Sequence, residues 1–261
     1  MGLTVLRLRV ALGIVVVLLA ACQPTSSPST TSEGESAASI RESTTTSTAP
    51  VVSEPATTTT TIPTTTTTEP KRGWLVIHGT GDVDLDGGVV GAWRSRGCDH
   101  AWAGLDGLFL EDDLSIINLE CSPSPDGPRE PKQFVFGCDT EAYPAAIEAG
   151  VDVVSLGNNH SQDHGKAAML EGRRLVEELG LNPVGAGANE AEAGKPAFFE
   201  VNGWRIAVVG FGGVFPHEGW YATPDRPGMR DGDTIETMVQ AVEAADRFAG
   251  IVIGSMHWGV E

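Results

Sequence analysis

Positive charge is what this sequence has little of. Seventeen Lys and Arg face 35 Asp and Glu, a formal net charge of −18. After residue 70 the imbalance is thirty acids to fourteen bases. A nucleic-acid binder needs a basic footprint, and none is present. The same shortage argues against a direct electrostatic grip on anionic lipid, and an anionic substrate would need metal ions or a local cluster of positive charge. Cysteine is scarce too: there are four, none in C-x-x-C spacing, which removes the zinc-finger reading. No G-x-G-x-x-G is present. The nearest approach, "GFGGVF" at 210–215, follows a strand without a clear helix after it, and reads as a tight turn rather than a nucleotide loop.

What is present begins with a leader. Arg7 and Arg9 precede an apolar stretch from Val10 to Ala21, too short to span a membrane comfortably and built like a secretory signal. Its end, "LAAC", resembles the lipobox of bacterial lipoproteins, in which cleavage precedes a cysteine that becomes lipid-modified. That resemblance makes Cys22 the expected anchor and 1–21 a lipoprotein signal peptide, with the protein exported and held on the outer face of the cell membrane. The plain alternative is a signal peptide cut after Ala21. Residues 22–72, rich in Ser, Thr and Pro, cannot bury a core and read as a disordered stalk. The folded domain is expected over 73–261, long enough for one core. Of its three cysteines, Cys98, Cys121 and Cys138, one pair and one free thiol are expected in an exported compartment, with the pairing open.

Within the domain, apolar runs bounded by glycine or turn residues predict strands at "WLVIHG", "DLSIINLE", "VDVVSLG" and "GIVIGSMHWG", with a weaker candidate at "KQFVFG". "TEAYPAAIEAG" predicts a helix with Pro144 in its first turn. "GKAAMLEGRRLVEELG" predicts an amphipathic helix. "DTIETMVQAVEAADRF" predicts another, with Asp233 and Glu236 in capping-box spacing and Ile235, Met238, Val239, Val242 and Ala245 as its apolar face. Asn202-Gly203 between two apolar runs is a hairpin signal. Strands alternating with helices make this an α/β protein with a mostly parallel sheet.

In such sheets ligands gather at the carboxyl ends of strands. Four predicted strands end in chemistry: Asp82 and Asp84, then Asn118 and Glu120, then Asn158, Asn159 and His160, then His257 and Glu261. Any one of these is ordinarily a turn residue or a packed histidine. Together they form a mixed oxygen and imidazole set that suits Mn, Fe, Zn or Mg. Two such ions can clamp the attacking and leaving oxygens of a phosphate ester.

"TGDV", "NLE", "GNNHSQDHG" and "HWGVE" together resemble the CapA family of bacterial capsule and poly-γ-glutamate synthesis proteins, relatives of the calcineurin-like metallophosphoesterases. The resemblance covers residues 74 to 261. It implies a four-layer α/β/β/α sandwich and a dinuclear divalent-metal site of phosphoesterase type. Asp82, Glu120, Asn159 and His257 would be metal ligands and His160 the catalytic neighbour. Asn118, Asp163 and Glu261 would support them. It also implies a partner in capsule or polyglutamate polymer or its synthetase complex, served by catalysis or by an accessory, polymer-binding role. Three departures stand out. Asp84 occupies the place of a histidine in the wider superfamily's first block and reads as a turn residue. His164 stands where an aromatic is common and reads as a solvated loop histidine; His78 reads as strand-edge packing. The family continues past "HWGVE" with a histidine-rich block, so the chain reads as a C-terminally truncated fragment with an incomplete site and sandwich.

Overall fold

The computed structural model describes residues 71–86 and 95–259, together with the backbone of 4–7 and 14–21. The expected anchor Cys22, nearly all of the expected stalk, and Glu261 lie outside the described residues. No helix among the described residues is long and apolar enough to cross a membrane.

Two sheets carry the fold. The strands in chain order are β1 (Thr4–Arg7), β2 (Ile14–Ala21), β3 (Val76–Val83), β4 (Leu114–Leu119), β5 (Val153–Ser155), β6 (Asn182–Val184), β7 (Ala186–Gly187), β8 (Ala197–Val201), β9 (Trp204–Gly212), β10 (Gly228–Met229) and β11 (Ile251–Trp258). The first sheet runs β1-β3-β4-β5-β6 and is parallel from β3 to β6. The second runs β2-β11-β9-β8, with β11 parallel to β9 and β8 antiparallel to it. β7 and β10 form a small antiparallel pair. The helices are α1 (Tyr143–Glu148), α2 (Gly165–Glu178), the single turn α3 (Glu190–Ala193) and α4 (Ile235–Asp246).

Alternation along the strands builds the layers. Leu114 and Ile116 of β4 face Ile206, Val208, Ile251 and Ile253 of the second sheet, forming a core between the sheets. Ile117 and Leu119, with the opposite parity, pack against Tyr143, Ala146, Met169 and Val176 of α1 and α2. Ala207, Val209 and Val252 turn outward onto Ala241 and Ala245 of α4. Helix, sheet, sheet, helix is therefore the order, an α/β sandwich as expected. The hairpin is also as expected: Asn202 and Gly203 both have positive φ, 49° and 78°, the backbone of a type I′ turn. Pro144 sits in the first turn of α1.

Two local expectations are corrected. "KQFVFG" is not a strand but part of a loop joined to the end of β4 by the Cys121–Cys138 disulfide, with isolated bridges from Ser122 to Gly137 and from Asp86 to Cys138. Cys98 is the free thiol. In α4 the cap is not Asp233: Asp231 Oδ1 accepts from the backbone N–H of Asp233 and Thr234, while the Asp233 carboxylate accepts from Tyr221. Ile235 and Val239 are exposed, and the buried stripe runs through Met238, Ala241, Val242 and Ala245, spaced i, i+3, i+4, i+7.

Candidate metal centre

The alternation that builds the core also aims the polar residues. Asn118 shares its parity with Leu114 and Ile116, so its side chain points between the sheets. His257 shares its parity with Ile251 and Ile253 and points back at it. Asp82 needs a further device. Ile77 of β3 faces the inter-sheet core, whereas Val83 faces the α1/α2 side. The pairing of β3 with β4 shifts between Gly79 and Asp82. One irregularity of this kind reverses which face each later residue takes. It brings Asp82 to the inner face, opposite Asn118.

The result is a convergence of acceptors. Asp82, Glu120 and His257 each offer a ligand atom within 4.8 Å of the others. His257 Nδ1 stands 3.5 Å from Asp82 Oδ1 and 3.7 Å from Glu120 Oε2. Asn118 Nδ2 lies among them, 2.8 Å from Asp82 Oδ1, 2.9 Å from Glu120 Oε2 and 3.1 Å from His257 Nδ1. With His257 Nδ1 unprotonated, as a metal ligand must be, the two hydrogens of this amide nitrogen face three acceptors. Asn118 cannot turn away, because its Oδ1 accepts from Asn158 Nδ2 at 3.0 Å. Burial alone would raise the Asp82 carboxyl; hydrogen bonds with His257, Glu120 and Asn118, and the charge of His257, outweigh it and hold Asp82 well below the ordinary carboxylate range.

The loop after β5 forms the second half of the site. Asn158 is its internal brace: Nδ2 donates to Leu119 O, and Oδ1 accepts from the His160 N–H and the Ser161 hydroxyl. His160 Nδ1 lies 2.7 Å from Asp163 Oδ2 and its Nε2 3.9 Å from Glu120 Oε1. The pair of His160 and Asp163 thus backs onto the carboxylate cluster. Asn159 Oδ1 is buried with no hydrogen-bond partner. A buried amide oxygen left unpaired is costly unless something binds it. It is also the atom an amide ligand would offer. The two carboxylates and the imidazole of Asp82, Glu120 and His257 fit a divalent cation such as Mn, Fe, Zn or Mg.

The lesser candidates sort by geometry. Asp84 Oδ1 accepts from the Asp86 N–H at 2.7 Å, an Asx turn, in keeping with the turn reading. Its carboxyl is pushed up, chiefly by burial. His78 pairs with Asp112 Oδ2 at 2.8 Å and stacks on Phe109, away from the cluster. His164 is not solvated. It is buried, with Nδ1 3.2 Å from Gly127 O. The loop closes over it because Gly137 has no side chain: a Cβ there would meet His164 Nε2 at 2.9 Å.

Sequence reasoning missed Lys132, Phe136 and Trp220. Lys132 Nζ lies 2.7 Å from Asp163 Oδ1, and Phe136 packs against the His160 ring at 4.4 Å between centroids. Trp220, fully buried, takes Lys132 Nζ over its ring. The one signal available was that Lys132 and Phe136 lie between two cysteines, the first directly after Glu120.

Comparison with known proteins gives a consistent picture. The model of the family described as "Bacterial capsule synthesis protein PGA_cap" matches residues 76–261. "Capsule biosynthesis protein CapA" of Bacillus anthracis is 33% identical over 194 residues, covering 72% of this chain and 47% of that protein. "PGA biosynthesis protein CapA" of Bacillus subtilis is 26% identical over 185 residues, 70% of this chain and 48% of that one. A Mycobacterium tuberculosis relative, described as a "Probable polyglutamine synthesis accessory protein", is 32% identical over 159 residues, 56% of this chain and 41% of its own. The chain spans about half the length, or somewhat less, of the curated relatives it matches.

Proposed function

The chain belongs to the bacterial capsule synthesis protein family, and from that premise we propose that it is a CapA-like protein of capsule or poly-γ-glutamate synthesis whose strand ends form a metal-dependent, phosphoesterase-type centre. The observation that carries this reading is the meeting of Asp82, Glu120 and His257 within 4.8 Å of one another. Asp82, Glu120, His257 and Asn159 would hold the cation. When bound, it would supply Lewis-acid stabilisation of charge developing on a phosphoryl oxygen. The protein's own residues would do the rest. Glu120 stands between the Asp82 side of the cluster and His160. Asp163 orients the His160 ring and leaves Nε2 facing the centre, placed to exchange a proton or a hydrogen bond with substrate. Export and a Cys22 lipid anchor would put this chemistry on the outer face of the membrane, where surface polymer is assembled.

The test is metal analysis of the purified protein with a phosphodiesterase assay in Mn. We expect bound divalent metal and turnover, both lost in Asp82→Ala, with turnover alone lost in His160→Ala. Absence of both from the wild type would overturn the reading. A second reading, a non-catalytic accessory role, is favoured by the description of the mycobacterial relative. A deletion strain separates the two: restoration of surface polymer by the Asp82→Ala protein would favour the accessory role.

A further inference from the structure

We infer that Lys132 is a positioning residue for this centre, delivered by a disulfide-closed strap to set the placement of Asn159, His160 and Asp163 together. The inference rests on the metal-centre reading above for its functional consequence, but its geometry stands alone. Residues 121–138 leave the end of β4 directly after Glu120 and return to it through the Cys121–Cys138 bond. Between those ends the strap reaches across to the loop after β5 and grips it at Asp163. The Glu130 N–H donates to Asp163 O at 2.8 Å, and the Phe136 N–H donates to Asp163 Oδ2 at 2.8 Å. Phe136 also covers the His160 ring.

Lys132 supplies what the rest of the strap cannot. The Asp163 side chain is 0% exposed, and a carboxylate so buried needs a counter-charge. The Lys132 ammonium, 2.7 Å from Oδ1, provides it. The same ammonium donates to the Asn159 carbonyl at 2.6 Å and lies 3.3 Å from His160 Nδ1. One cation therefore fixes two positions of the loop directly: the backbone from which Asn159 projects and the carboxylate that orients the His160 ring. Nδ1 cannot donate to Asp163 and accept from Lys132 at once. The 2.7 Å contact with Asp163 is the shorter, so the ring gives its Nδ1 hydrogen to the carboxylate and turns Nε2 towards Glu120. The ammonium also lies over the Trp220 ring, 5.4 Å from its centroid, and Trp220 is itself tied to the loop, its carbonyl accepting from Gln162 Nε2. The Lys132 side chain is 19% exposed, and its contacts point inward rather than towards a ligand in solvent.

The test is Lys132→Met, which keeps length and removes charge. In the metal-free protein, NMR of the histidine rings should show His160 displaced from its wild-type shifts and its contact with Phe136 weakened, while His78 and His257 signals stay put. In the Mn-loaded protein, kcat for a phosphodiester should fall about 10–100-fold, the usual cost of losing an outer-shell partner, with KM changed less than about threefold. Lys132→Gln, which keeps a neutral donor for the Asp163 carboxylate, covers the case in which Lys132→Met does not fold. It should fold and show His160 displaced from its wild-type shifts. Wild-type His160 shifts and wild-type kcat in a folded variant would overturn the inference. A wild type inactive and metal-free would overturn the functional reading instead, and the His160 spectrum would still decide the role of Lys132.

Discussion

The two ends of the same strands each gather a histidine and carboxylates, and they use them in opposite ways. At the start of β3 and β4, His78 and Asp112 form one short contact, both side chains nearly inaccessible, against the Phe109 ring. That pair is closed: the donor and the acceptor it most needs are matched one to one. At the far end of β3, about 13 Å along at the usual rise per residue, Asp82, Glu120 and His257 crowd a single amide donor, and Asn159 Oδ1 has no partner. Residue type does not separate the two clusters. The ratio of acceptors to donors does. A matched buried pair serves the fold, whereas an excess of converging acceptors calls for a cation.

That contrast can be broken by substitution. The largest effect is expected from Glu120→Ala or His257→Ala, each lowering Mn affinity in calorimetry by more than about 100-fold, since even outer-shell changes cost about 10–100-fold. Asn118→Ala removes the shared donor but no ligand, so its Mn affinity should fall by about 10–100-fold. At the other end, His78→Leu should leave Mn affinity unchanged and lower stability in urea unfolding by about 1–3 kcal/mol, the cost of stranding a buried hydrogen-bonded group. An effect of His78→Leu on Mn affinity comparable to that of Asn118→Ala would erase the distinction between the ends.

The smallest effect is a slope with pH. Burial, aided by Asp152 and Asp113 and opposed by His78, pushes the Asp112 carboxyl up to about 6. The unfolded chain releases that proton near 3.8, the folded chain only near 6. Between those values the folded state binds more protons, so raising pH favours unfolding. Metal-free wild type should therefore lose stability relative to Asp112→Asn as pH rises from about 4 to about 6, and the difference should level off above that. A flat difference across this window would show that Asp112 is not held protonated.

Much of this was legible before any coordinates, for identifiable reasons. An apolar strand followed by a ligand-type side chain marks a sheet edge; Asp82 and Glu120 meet because neighbouring parallel strands share one edge, and His257 reaches them from the facing second sheet. The α/β class followed from strand and helix periodicity; the four layers followed only from the family resemblance. Other features depended on contacts distant in sequence. Asn118 reads as a supporting residue, yet it stands in the middle of the cluster because of a register shift in β3 that no local motif announces. Lys132 sits in a stretch that resembles a weak strand, and its role appears only when the Cys121–Cys138 bond folds that stretch against Asp163. The α4 face was drawn too wide because Ile235 and Val239 are apolar but lie off the buried stripe. β6 and β7 are three and two residues long, too short to show a period. His164 looked solvated because glycines far along the chain make the room that buries it.

The most direct measurement is an anomalous-difference map from a crystal of the protein soaked in Mn. The account predicts a peak among Asp82, Glu120 and His257, within bonding distance of a carboxylate oxygen, and none beside His78 and Asp112. A well-diffracting crystal with no peak at the first cluster, or with Mn at the second, would contradict it.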